Sequence, residues 1–342
     1  MIDFRYHLVS IVAVFLALAI GIVVGATALK PKTLQVLDKA SRREEQQISA
    51  QRAMIRSLNG QINIDQAFAQ AGEPLLLGGG SLLQGQRVVL VTAPGADGSA
   101  VSGITAALQE AGAKVTGQAQ LQPAFFDTSA RTQNSLDVLA QQVAPPSVIP
   151  SAQQAQPEAN AAIAGQQEAA QALAPALVTK DGADLPATQT GTILSGFAHQ
   201  GFLQFSPASG SSATPAQATL AVVVTPASPP SASDSSPANL ALISLAEQLK
   251  LSSRGVVLAG SLAGSGPGSV IDELVNGSTG FLLSSVDDAD TEVGQVLVVQ
   301  ALGSLLARQN PQAYGVGTGK VPTPSQTASP AATATLKPKS GG

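Results

Sequence analysis

Between Leu8 and Leu29 the chain carries no charged side chain, and the only polar residues in that run are Ser10 and Thr27. At 1.5 Å per residue such a run makes a helix about 33 Å long, a match for a hydrocarbon core of about 30 Å. The run exceeds the apolar segment of an ordinary signal peptide, and the residues after it continue in a helical pattern instead of a small-residue cleavage site. An uncleaved transmembrane anchor is therefore expected over residues 1–30, with membrane lipid as its partner. Arg5 precedes the run, whereas Lys30, Lys32, Lys39, Arg42 and Arg43 follow it. A literal count of positive charge places the carboxyl end in the cytoplasm. Against that count, the bases from Lys39 onward alternate with Asp38, Glu44 and Glu45, and the rest of the chain is rich in Ala, Ser, Thr, Gln and Pro, which reads as an exported protein. The expected arrangement is a single-pass cell-membrane protein with its soluble domain extracytoplasmic, with the outer envelope as a second address.

Within the anchor, Ala13, Ala17, Gly21 and Gly25 recur every four residues and include a G-x-x-x-G step. They give one helix face little bulk, so two such helices could pack closely along it. The frequency of small residues in membrane helices is an equally good account of the pattern. After Pro31, the residues Leu34, Leu37, Ile48, Ile55, Leu58 and Ile62 occupy a and d positions of one heptad frame, interrupted by Ser41, Glu44 and Gln51. A helical stalk is expected over 31–72, as a coiled coil or as a lone amphipathic helix, and a homo-oligomer through anchor and stalk. The Gly78-Gly79-Gly80 run reads as a joint.

Beyond the joint, Arg87–Ala93 is a short apolar run stopped by Pro94-Gly95, followed by helical spacing to Gly112 and a second strand over Lys114–Gln120. The same order returns at Ala218–Thr225, Asn239–Lys250 and Arg254–Ala259. Strand and helix alternating in this way imply an α/β domain, over residues 81–314, with a mostly parallel sheet covered by helices. Residues 145–215 are rich in Ala, Gln, Pro and Ser and are expected to form helices joined by mobile loops, with an insertion as an open reading. From Gly315 the chain is Pro, Thr, Ser, Ala and Gly with three lysines and no acid, so residues 315–342 are expected to be a disordered tail.

Composition removes several functions. Charged residues are 12% with a formal net charge of -4, which offers no basic surface for nucleic acid. There is no cysteine, and the chain holds two histidines, His7 and His199, and two methionines, Met1 and Met54. Disulfides, thiolate metal sites and a cysteine nucleophile are excluded, and a cage of imidazole or sulfur ligands cannot be built within one chain. A porin-like barrel is disfavoured by the absence of Trp and the presence of two Tyr and nine Phe.

Three segments could carry chemistry. Gly260–Gly268 is a glycine-rich loop between a strand and a helix, but it lacks the Gly-Lys-Ser/Thr ending of a phosphate-binding loop and the dinucleotide fingerprint; a plain turn is the better account. Asp287, Asp288 and Asp290 form the densest acidic loop, directly ahead of a strong helix from Val293 to Ala307. Carboxylates there could bind a hard cation, yet capping of that helix accounts for them without one. His199 lacks the partners of a catalytic triad. No catalytic, cofactor-binding or metal-ligating residue is assigned, no cofactor is expected, and the chain does not read as an enzyme.

Arg5, His7, Val9-Ser10, the block Ala13–Gly21 and Gly25 resemble the opening of the actinobacterial MctB family of copper transport proteins. The similarity extends to the stalk, to Val88–Thr92, to Val286–Asp290 with its helix through Ala301-Leu302, and to Tyr314-Gly315-Val316-Gly317. It is weakest over 145–215 and absent from the tail. The resemblance implies an envelope protein of copper transport and copper homeostasis, one that limits copper accumulation and forms a channel across the outer envelope. A non-enzymatic envelope scaffold that binds other proteins is the alternative, because the residues themselves support anchor and domain without supplying copper ligands.

Overall fold

A computed structural model describes residues 6–25, 81–144, 161–180, 184–208, 216–228, 235–276, 283–317 and 320. The chain divides into two compact units, Met1–Asp65 and Gln66–Gly342. In the first unit, helix α1 spans Tyr6–Gly25, 20 residues with a mean hydropathy of 2.9 over its most apolar window. Its large side chains, among them Ile11, Phe15, Leu18 and Ile22, are exposed. A backbone that satisfies its own hydrogen bonds beneath an all-round apolar surface suits a lipid phase, and α1 is long and apolar enough to cross one. The expected stalk at 31–72 and the joint at Gly78–Gly80 lie outside the described residues.

The second unit is built on β1 (Arg87–Thr92), α2 (Gly98–Glu110), β2 (Lys114–Leu121), α3 (Ala130–Val143), α4 (Ala164–Leu177), α5 (Ala187–His199), β3 (Leu203–Pro207), β4 (Leu220–Val224), α6 (Ser235–Ser252), β5 (Gly255–Ala259), α7 (Val270–Asn276), β6 (Ser284–Val286), α8 (Glu292–Leu306) and β7 (Ala313–Tyr314). The strands form one sheet in the order β3-β2-β1-β4-β5-β6-β7. Every pairing is parallel except that of β2 with β3.

The continuous apolar character of β1, β4 and β5 follows from burial on both faces. Val88, Leu90, Leu220, Val222 and Val257 point into one core, shared with Ile104 and Leu108 of α2 and Val298 and Leu302 of α8. Val89, Val91, Ala221, Val223 and Leu258 point into the other, with Leu136 of α3, Leu173 of α4 and Leu245 of α6. The result is a three-layer α/β/α domain, and the strands and helices expected around residues 87–120, 218–259 and 292–307 are all present.

Two features depart from the expectation. Residues 130–143, unassigned from sequence, form α3, started by Ser129, whose side chain accepts a hydrogen bond from the Thr132 amide. Residues 145–215, expected as helices and loops, hold α4 and α5 but also β3, an antiparallel edge strand. β3 is five residues long and ends in proline, and mostly one side of it is covered, so it lacks the apolar run by which β1 and β4 are recognised. α4 is mostly buried, from Gly165 and Gln166 to Leu177. Its small residues let it pass between α3 and α6, closest at Gly165, where a Cβ would collide with the Gln133 carbonyl oxygen. An alanine-rich composition that suggests looseness in a sequence here serves close packing.

Candidate functional site

In an open parallel sheet, ligand sites collect outside the carboxyl ends of the strands, because loops there are free to vary while the strands fix their position. At the point where strand order reverses, between β1 and β4, lies a cleft of about 490 Å³ lined by Pro94, Phe126, Pro226, Asn239, Leu242 and Val270. Its walls are almost wholly apolar, and the amide nitrogen of Asn239 already donates to the Gly268 carbonyl at 2.9 Å. It offers little to orient a polar substrate.

The polar site lies further along the same edge. β6 runs out into Asp287-Asp288-Ala289-Asp290-Thr291, and this loop is stitched to the glycine-rich loop after β5. Gly260 donates to the Val286 carbonyl at 2.8 Å, and Ala289 donates to the Gly260 carbonyl at 2.8 Å. The Leu262 amide donates to Asp290 Oδ1 at 3.1 Å, and the Ser265 hydroxyl to the Asp287 carbonyl at 3.2 Å. The amides of Leu262, Gly264 and Gly268 thus donate to Asp290, Ser261 and Asp272, which leaves the Gly260–Gly268 loop as a turn beside carboxylates, poorly suited to an anion.

The side chain that caps α8 is Thr291. It accepts from the Gly294 amide at 3.0 Å and donates from its hydroxyl to the Asp288 carbonyl at 2.9 Å. Gly294 is required at this start, since a Cβ there would lie 2.0 Å from the Asp288 carbonyl oxygen. Asp287 and Asp288 are 6% and 4% exposed, and the Oδ1 atom of each has no hydrogen-bond partner. Asp287 Oδ2 accepts from the Gly317 amide at 2.8 Å. Burial pushes the Asp288 carboxyl up to about 6, with the charges of Asp287 and Asp290 adding to the effect and a backbone hydrogen bond opposing it. Gly317, just past β7, thus makes a hydrogen bond to the loop after β6. The rest of the expected tail, apart from Lys320, lies outside the described residues.

The glycines that close over Asp287 are not recognisable as site residues from sequence, although the Gly315-Val316-Gly317 spacing is a faint signal. Gly315 has φ +112° and Gly317 has no side chain to obstruct the carboxylate. His199 sits exposed in the last turn of α5 with Nδ1 2.9 Å from the Ser195 carbonyl oxygen. His7 belongs to α1. Ala13, Ala17, Gly21 and Gly25 share one face of α1, and the space around Gly21 and Gly25 is open. Among the described residues no group of three or more His, Cys, Asp or Glu side chains is placed to hold a metal ion.

The family described as copper transport outer membrane protein, MctB, matches residues 1–324. Similar relatives include the copper transporter MctB of Mycobacterium bovis and that of Mycobacterium tuberculosis. Each is 27% identical to this chain over 327 residues, covering 93% of it and 98% of the relative. The match takes in α1 and every strand of the domain, and on that ground the chain belongs to the MctB family.

Proposed function

We propose that this protein is a membrane-anchored component of the cell envelope that takes part in copper transport, limits copper accumulation, and holds its α/β domain outside the cytoplasm. The observation that carries this reading is the family match over residues 1–324, which spans anchor and domain together. The relatives' name, copper transporter, supports transport over catalysis. Copper is cargo in this proposal. Cu(I) prefers thiolate and thioether ligands and Cu(II) prefers imidazole. Residues 81–342 contain no cysteine, no methionine and one histidine, so passage of copper calls for an oligomeric pore or a partner in the envelope. The small-residue face Ala13-Ala17-Gly21-Gly25 and the stalk at 31–72 are the proposed contacts between copies.

A strain lacking the gene should lose tolerance to copper and regain it with the full-length chain; unchanged tolerance would sink the copper role. Orientation is tested separately with single cysteines at Ser81 and Ser325 in this cysteine-free chain. Both should react with a membrane-impermeant maleimide on intact cells. Labelling only after lysis would place the domain in the cytoplasm, as the literal charge count does.

A further inference from the structure

A buried carboxylate without a counter-charge is among the costliest arrangements in a folded protein, and it persists where something neutralises it. Asp287 and Asp288 are adjacent in sequence, both more than nine-tenths buried, each with one oxygen unpartnered, and among the described residues neither forms a salt bridge. Those two oxygens converge on the same bare Cα: an ideal Cβ on Gly315 would stand 2.1 Å from Asp287 Oδ1 and 2.8 Å from Asp288 Oδ1. Ser285 in β6, two residues before Asp287, holds a third buried oxygen with no hydrogen-bond partner. The backbone closes around this point instead of opening it to water, through the Gly317 amide on Asp287 Oδ2 and the Asp287 amide on the Tyr314 carbonyl at 3.3 Å.

We propose that Asp287 and Asp288 are ligands of a hard divalent cation, calcium or magnesium, held at the carboxyl edge of the sheet beneath the Gly315–Gly317 segment. The donors named are all oxygens, which selects hard cations over copper or zinc. Two carboxylates supply the charge such an ion needs. One proton cannot do the same work, since it neutralises one carboxylate and leaves the other buried and charged. The bound ion would tie β6 to the segment after β7 and thereby fasten the end of the domain. This site is independent of the copper reading and stands or falls apart from it.

The test uses the full-length protein in detergent, stripped with EDTA and then titrated with CaCl2, MgCl2 or CuSO4 while thermal unfolding and binding heat are recorded. Calcium or magnesium at millimolar concentration should raise Tm by several degrees in the wild type. Asp288→Asn should abolish that response, and Asp290→Asn, whose carboxylate serves the Leu262 amide, should keep it. If Asp288→Asn does not fold, the wild-type titration decides alone. No binding heat and no Tm shift with either hard cation overturns the proposal, as does a response to CuSO4 only.

Discussion

At the scale of single residues, the loop between β6 and α8 depends on atoms that are missing as much as on atoms that are present. Gly315 combines φ +112° with a carboxylate oxygen 2.1 Å from where a Cβ would stand. Gly315→Ala should destabilise the domain by about 2 kcal/mol or more, from backbone strain and steric conflict together. Chemical denaturation of the full-length protein in detergent checks this, and a loss below about 0.5 kcal/mol would mean the segment relaxes freely. Thr291→Ala removes the cap of α8 and should cost about 1 kcal/mol, with Thr291→Ser restoring most of it. A helix start is legible ahead of Val293 because Asp and Thr precede an apolar run. That the threonine caps while the aspartates turn inward depends on the loop after β5 and the segment after β7, neither of which is near them in sequence.

At the scale of elements, the strands announced themselves wherever both faces are buried. RVVLVT and GVVLA, runs with no internal charge, are strands because helices cover both sides. The helices of the middle region are harder to read. In α4 nine of fourteen residues are buried, the polar stripe of Gln167, Glu168 and Gln171 is narrow, and the buried positions are mostly alanine, so its composition resembles a linker. Leu173, fully buried at its centre, tests its role: Leu173→Ala should cost about 3 kcal/mol, whereas a helix loosely laid on the surface would lose under 1 kcal/mol. On α6, burial raises the Glu247 carboxyl above its usual range, and the Lys250 charge only partly opposes this. A raised folded-state value means the wild type is disfavoured where Glu247 is ionised and recovers as pH falls. Glu247→Gln should therefore raise Tm at pH 7, with the gain shrinking toward pH 4. A constant gain across that range would assign the effect to packing instead of charge.

At the scale of the whole molecule, anchor, sheet and family were legible because each rests on a pattern contiguous in sequence: the uncharged run, the alternating strands, and the amino-terminal block. The closing of Asp287 by Gly317 was not, since it joins residues 30 positions apart across a parallel strand pair. Self-association belongs to this scale as well. Gly21→Ile places a branched side chain on the small-residue face of α1 and should lower the crosslinked-dimer yield in membranes; an unchanged yield would remove that face as a contact. A membrane-anchored α/β protein that keeps copper from accumulating should leave its mark on cell-associated copper. Mass spectrometry should find more copper in cells lacking the gene than in the parent after equal exposure, and the full-length chain should return it to the parental level. Equal copper in all three strains would rule out the copper role.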